Sequence, residues 1–205
     1  MVKKLLLASR NRHKMKELQQ MLRGLDIEIL SLDDIRDMPV VEEDGDTFMA
    51  NASKKARLTA IYTGYVSLAD DSGLVVDALG GQPGVYSARF AGEEADDLKN
   101  NQKLLQMMSR LEGNKRRARF VCVIAISDLE GNIYTVEGKC EGQIGYEGRG
   151  AGGFGYDPLF IPKGYTRTFA ELSSAEKNKI SHRGQALVKA RVLLEQMDEP
   201  GGRFF

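Results

Sequence analysis

Four short stretches of this 205-residue chain carry side chains of the types that handle phosphates, metals and planar rings. The first is the acidic run Ala69-Asp70-Asp71-Ser72-Gly73-Leu74, which adds to Glu42 and Glu43 to make a set of hard oxygen donors. Magnesium takes such ligands and commonly needs only one or two protein carboxylates, with water and substrate phosphates completing its shell. Neighbouring residues of an extended chain point to opposite faces, so Asp70 and Asp71 divide the work: one enters a site, and the other orients backbone or a basic neighbour. A place just past a short strand is where α/β sheets put ligands, although Asp-Asp-Ser-Gly taken by itself is also an ordinary turn.

The second stretch is Ser9-Arg10-Asn11-Arg12-His13-Lys14, between a strand and a helix. Free backbone N–H groups and the positive end of the helix dipole make such a junction an anion site, with Ser9, Asn11 and Lys14 as donors. The competing reading is a capped helix with solvated basic residues. No Gly-x-x-x-x-Gly-Lys is present, so this is not a P-loop. In the third stretch, Gly152-Gly153-Phe154-Gly155-Tyr156-Asp157-Pro158, glycines around aromatics let backbone pass close to a planar ligand. Phe154 or Tyr156 could stack on it, and Asp157 could accept from a base or sugar. The fourth runs from Ser173 to Arg183: Ser173 with Glu176 reads as a capping box, Ser181 as a cap of the last helix, and Lys177, His182 and Arg183 as donors to anions or a carbonyl. Two histidines and two separated cysteines make no zinc site, and no Ser, Cys and His arrangement forms a nucleophilic triad.

The elements that must position these residues read as α/β. Strands are expected at 3–8, 28–31, 66–69, 117–127 and 133–139, and helices at 12–23, 47–63 and 96–111. A last helix carries Leu187, Ala190, Leu194 and Met197. The strand at 66–69 is expected to stop at Asp70-Asp71, and the 47–63 helix to present Phe48, Asn51, Lys55 and Leu58 along one side. The 117–127 strand is apolar on both faces and therefore central, turning at Glu130-Gly131-Asn132 into an antiparallel partner. Lys+Arg and Asp+Glu balance at 29 each, so no global field draws the chain onto nucleic acid or an anionic membrane. No apolar run reaches the roughly 20 residues that span a bilayer, and the N-terminal stretch reads as a strand rather than a leader. A cytoplasmic protein with Cys122 and Cys140 reduced and packed is the expectation.

Taken together, these segments resemble the non-canonical purine NTP pyrophosphatases, the inosine triphosphate pyrophosphatase family. The matching pieces are Ser9-x-Asn11-x-x-Lys14 with Glu17, Glu43-x-Gly45-x-Thr47-Phe48, the run Ala69 to Leu74, Gly84-Val85-Tyr86-Ser87-Ala88-Arg89, the run Gly152 to Pro158, and Ser181-His182-Arg183-Gly184. The resemblance covers residues 5 to 188 and implies a single domain over 1–205: a mixed twisted sheet with helices on both faces, in two lobes with the active site in the cleft between them. It implies a homodimer that hydrolyses ITP, dITP or XTP to the monophosphate and pyrophosphate with Mg2+. Carried over by position, Asp71 is the general base and a metal ligand, with Glu42 or Glu43 completing the metal site. Ser9, Arg10, Asn11, Arg12, His13 and Lys14 hold the triphosphate, with Lys55 nearby. Ser72, Phe154, Gly155, Tyr156, Asp157, Lys177, His182 and Arg183 contact the nucleotide.

Two other readings compete. A Maf-like pyrophosphatase also opens with a strand and Leu-Ala-Ser, but Asn11 and Lys14 stand here where that group carries Pro-Arg-Arg. A catalytically inactive nucleotide-binding sensor has no need of a base beside Glu42 and Glu43.

Overall fold

The computed structural model describes residues 3–24 and 26–197; the side chains of Arg12, His13, Met21 and Met197 lie outside the described residues. The elements run β1 (Lys3–Leu7), α1 (Arg12–Met21), β2 (Ile27–Ser31), α2 (Phe48–Thr63), β3 (Val66–Val76), α3 (Asp97–Met107), β4 (Arg117–Ser127), β5 (Ile133–Ile144), β6 (Phe160–Pro162), α4 (Ser174–Ile180) and α5 (His182–Met197). The described strands form one mixed sheet in the order β2-β1-β3-β4-β5-β6. Pairing is parallel where β1 meets β2 and β3, and antiparallel where β5 meets β6. The chain divides into two compact units: residues up to Asp71, Cys122–Gly138 and from Gly184 on form the first, and Ser72–Val121 with Lys139–Arg183 the second. Neither unit is a continuous segment.

In the first unit, strand alternation sorts apolar side chains onto two faces. Leu5, Leu7, Val66, Leu68, Cys122, Ile124 and Ile126 pack with Leu18 and Leu22 near α1 and with Leu187, Ala190 and Leu194 of α5. The residues of opposite parity, Ala8, Ala69, Val123 and Ala125, pack with Ala52 and Ala56 of α2. Helices therefore cover both faces, as the apolar character of both sides of β4 requires. The β4–β5 turn is tied by Asp128, whose carboxylate accepts from the N–H groups of Glu130 and Asn132.

Helix α2 is capped at its start by Thr47, which accepts from the Ala50 N–H at 3.1 Å. It stops at Gly64 in the left-handed conformation (φ 68°), where a residue without Cβ is unstrained. Its buried positions are Asn51, Ala52, Ala56, Thr59 and Ala60. Leu58 does not join Asn51 and Lys55 on the inner side, as helical spacing of large residues suggested; it is exposed, with Ile61 and Tyr62. Small side chains let α2 lie close to the equally small Ala8, Ala69 and Ala125, and that close approach leaves the bulkier residues outside.

The second unit has its own core, in which Leu74 and Val76 meet Leu104 and Met108 near α3, Phe120 of β4 and Phe160 of β6. Phe120 lies edge-on to Phe160 at 4.8 Å and stacks with Phe169 at 5.8 Å between centroids. Arg116 is 3% exposed and donates to four carbonyls, those of Met108, Leu111, Ile144 and Gly145, which ties the end of α3 to the end of β5. Cys122 and Cys140 are buried thiols outside any disulfide, as expected, and burial pushes the Cys140 thiol up to about 11.

Candidate active site

The strand expected to end at residue 69 continues through the acidic pair, so Asp70 and Asp71 stand in the middle of β3 rather than in a turn. Both are buried, at 1% and 5% exposure, and a strand tolerates this because each carboxylate has partners. Alternation then separates them. Asp70 shares the parity of Leu68 and forms an ion pair with Lys14 of α1 at 3.1 Å. Asp71 shares the parity of Ala69, and its Oδ2 accepts from Nδ2 of Asn51 on α2 at 3.0 Å.

Asn51 and Lys55 are four residues apart on α2 and point along one side. The Asn51 Oδ1 accepts from the Gly45 N–H at 2.8 Å, so one buried amide links the acidic loop to Asp71. A Cβ on Gly45 would lie 2.8 Å from that same Oδ1, which explains the glycine. Lys55 Nζ donates to Glu43 Oε1 at 2.5 Å and to the Asp70 carbonyl at 2.6 Å. Burial pulls the Lys55 pKa down, but the charges of Asp70, Glu43 and Asp71 outweigh it and leave the ammonium more firmly protonated than usual. For Asp71, burial raises the pKa and the nearby Glu43 adds to this, against the opposing pull of Lys55, Lys14 and the Asn51 hydrogen bond; the net direction is up. A carboxylate with raised basicity beside two lysines is equipped to take a proton.

Glu43 is half-buried and reaches this cluster, whereas Glu42 is exposed. Among the described residues no three His, Cys, Asp or Glu side chains converge as a metal cage. Asp71 and Glu43 nevertheless suit a hard divalent cation that keeps water and phosphate as its other ligands. At the β1–α1 junction Asn11 caps the helix by accepting from the Lys14 N–H at 3.2 Å, and Ser9 Oγ accepts from the Asn11 N–H at 3.2 Å. Arg10 donates to the Met38 carbonyl at 2.9 Å. Arg12 and His13, expected to hold the triphosphate, have side chains that lie outside the described residues.

The second unit gathers the other predicted residues. Asp157 Oδ2 accepts from Lys177 Nζ at 2.6 Å and from the Phe154 N–H at 3.0 Å, in a residue that is 2% exposed. Gly153, at φ 74°, permits this: a Cβ there would sit 1.9 Å from the same carboxylate oxygen. The Lys177 ammonium lies 4.7 Å and the Arg183 guanidinium 5.5 Å from the centre of the Phe154 ring. Arg183 also donates to Ser72 Oγ at 2.8 Å.

Of the two aromatics offered for stacking, the structure leaves Phe154. The Tyr156 ring belongs to the core, its hydroxyl donates to the Ser87 carbonyl at 2.9 Å, and burial followed by the Asp97 charge raises its pKa. Asp157 is likewise engaged within the protein, its Oδ2 held by Lys177 and by its own loop. The imidazole of His182 stacks on Phe120 at 4.6 Å. Asn51 was not among the candidates. The one available signal was its place one helical turn before Lys55.

The family model described as Ham1 family matches residues 5–192. The chain is similar to a dITP/XTP pyrophosphatase of Desulforamulus reducens, 53% identical over 194 residues, which are 95% of this chain and 96% of that relative. A dITP/XTP pyrophosphatase of Bacillus licheniformis is 50% identical over 195 residues, 95% of this chain and all (100%) of the relative. Among solved structures, a HAM1 protein from Coxiella burnetii superposes with a TM-score of 0.88 at 43% identity, covering 95% of this chain and 99% of the other. A nucleoside-triphosphatase / dITP/XTP pyrophosphatase from Mycobacterium abscessus gives 0.78 at 44%, covering 91% and 98%. A family model over nearly the whole chain and relatives at half identity or more agree: this chain belongs to the Ham1 family.

Proposed function

We propose that this protein is a magnesium-dependent nucleoside-triphosphate pyrophosphatase that hydrolyses dITP, XTP and ITP to the monophosphate and pyrophosphate. The names of its relatives support the substrate class. The observation that carries the chemistry is the buried Asp71, hydrogen-bonded by Asn51 and clustered with Lys55 and Glu43. Magnesium held by Asp71 and Glu43 would neutralise phosphate charge and acidify water. Asp71 accepts the proton of a water that attacks the α-phosphorus; the bond from that phosphorus to the bridging oxygen breaks, and pyrophosphate leaves with the bonding electrons. Lys14 and Lys55 offset the charge that grows on the leaving group.

The residues assigned to the base belong to the second unit. Phe154 offers an aromatic face, and Lys177, Arg183 and backbone N–H groups near His182 offer donors. Hypoxanthine and xanthine carry an acceptor oxygen at C6, where adenine carries a donor amine. Donors at this edge accept the first two and oppose the third, and a hydrogen-bonding site of this kind can discriminate by roughly 10⁴-fold. The same reading includes a homodimer acting in the cytoplasm.

Pyrophosphate release measured with magnesium and dITP, XTP, ITP, dATP, dTTP or UTP tests this. Release from the first three well above dATP is expected. Preference for dTTP or UTP would favour the Maf-like alternative, and binding of dITP without release would mark a sensor.

A further inference from the structure

The backbone of Gly155 lies at the centre of the loop that carries Phe154 and Asp157, and one turn of α3 grips both its N–H and its carbonyl. Its N–H donates to Asp97 Oδ2 at 2.7 Å, and its carbonyl accepts from Asn101 Nδ2 at 2.9 Å. Residues four apart on a helix share a side, so Asp97 and Asn101 present an acceptor and a donor in line, as a neighbouring strand would. The Asn101 Oδ1 is sheltered from solvent and takes no hydrogen bond among the described residues. The amide therefore has one useful orientation, since turning it over would set oxygen against the Gly155 carbonyl.

The same helix holds a second loop in the same manner. Asn100 is 2% exposed, accepts from the Ala91 N–H at 2.6 Å and donates to the Ala88 carbonyl at 2.9 Å. Tyr156 joins the two loops through its bond to Ser87. Neither Asp97 nor Asn101 is needed to build α3: Asp96 is the cap, accepting from the Leu98 and Lys99 N–H groups at 2.9 and 3.1 Å. These polar side chains are directed at a backbone unit in a ligand-facing loop, and the helix is served by others.

We propose that Asp97 and Asn101 are positioning residues for nucleobase recognition, acting by fixing the Gly155 peptide and with it the Phe154 ring against Lys177. This rests on the substrate reading above, in which Phe154 and its neighbours meet the base. Because the loop is assigned to binding and not to proton transfer, loosening it raises KM and erodes discrimination while kcat is largely kept.

The helix and clamp roles separate by substitution in the full-length protein. Asn101→Ala improves helix propensity yet removes the donor to Gly155. It is expected to raise KM for dITP about three- to tenfold and to lower the ratio of kcat/KM for dITP over dATP, with the melting temperature little changed. Asp97→Ala removes the acceptor and should act like it. Asp97→Asn loses the charge in the first turn of α3 but retains an acceptor, so it should restore KM to near wild type. Exchange of the Gly155 amide, followed by NMR without nucleotide, should quicken in Asp97→Ala and not in Asp97→Asn. Unchanged KM and ratio in Asn101→Ala, or equal effects of the two Asp97 substitutions, would overturn the clamp. Wild-type inactivity toward dITP would overturn the substrate reading alone, and the Gly155 exchange rates would still decide whether the peptide is held.

Discussion

The residues around Asp71 and those around Phe154 are both built from charged side chains, yet they are held by different means. Around Asp71 nearly all of the groups come from regular structure: two acids from β3, Asn51 and Lys55 from α2 and Lys14 from α1, with Glu43 added from the loop before α2. Their order comes from charge set against charge, Lys14 on Asp70 and Lys55 on Glu43. Around Phe154 the frame is a loop, whose form depends on missing atoms (Gly153 has no Cβ to meet Asp157) and on side chains that bind backbone, such as Asp97 and Asn101. A strand fixes direction by its alternation, which would suit the proposed base, a group that takes a proton along one line. A loop moulded by glycine follows an outline, which suits recognition of a flat ring.

Substitutions that should hit one region and spare the other probe this contrast. The largest effect is expected from Asp71→Asn, which should lower pyrophosphate release by about 10²–10⁴-fold while nucleotide binding by calorimetry persists. A variant with nearly full turnover would remove Asp71 from its role. Lys14→Met removes the ion pair that Lys14 makes with the Asp70 side chain, which has no exposed surface (0%), and should cost about 3 kcal/mol in urea unfolding. A loss below about 1 kcal/mol would mean that charge pairing does not organise this region.

Gly153→Ala drives a methyl group into Asp157 and keeps a residue with a Cβ at positive φ, so a loss of about 2 kcal/mol is expected with a raised KM. Unchanged kcat would sharpen the contrast; a fall in kcat as deep as that of Asp71→Asn would break it. Asn51→Ala strands the Gly45 N–H and one contact to Asp71, and should cost about 1–2 kcal/mol and reduce kcat more than it raises KM.

The smallest effect belongs to pH. Hydrogen bonding from Arg167, and then from the Ser173 backbone and hydroxyl, lowers Glu176 from 4.5 to about 2. The sign is that of a depressed acid: its stabilisation is complete above 4.5 and fades as pH falls toward about 2. The melting-temperature difference between wild type and Glu176→Gln should shrink over that interval, and a constant difference would contradict the cause.

Much of this was legible in the sequence, for reasons that differ by region. Apolar alternation in residues 117–127 gave a central strand, and the split between Asp70 and Asp71 followed from strand geometry even though the strand was expected to end before them. The misplaced boundary arose because Asp-Asp-Ser-Gly is rich in turn formers, and local preference cannot see that Lys14, Lys55 and Asn51 will arrive from two helices to make burial tolerable. Leu58 misled in the same way. Helical spacing marks large apolar residues, whereas α2 packs through alanines and turns Leu58, Ile61 and Tyr62 outward. Asp97 and Asn101 gave no signal at all, since a hydrogen bond to a distant glycine peptide leaves no mark on spacing or composition.

The opposite parities of Asp70 and Asp71 have a consequence for how this chain can change in length. Substitutions in β3 alter one contact at a time, but a single residue gained or lost between 66 and 70 would exchange the two acids, sending Asp71 toward α1 and Asp70 toward α2. The surrounding loops can lengthen or shorten at little cost, because loop-closure entropy changes slowly with length. This strand has no such freedom. Counting in twos is part of its information, and over descent it should record its history in replaced letters rather than in gaps.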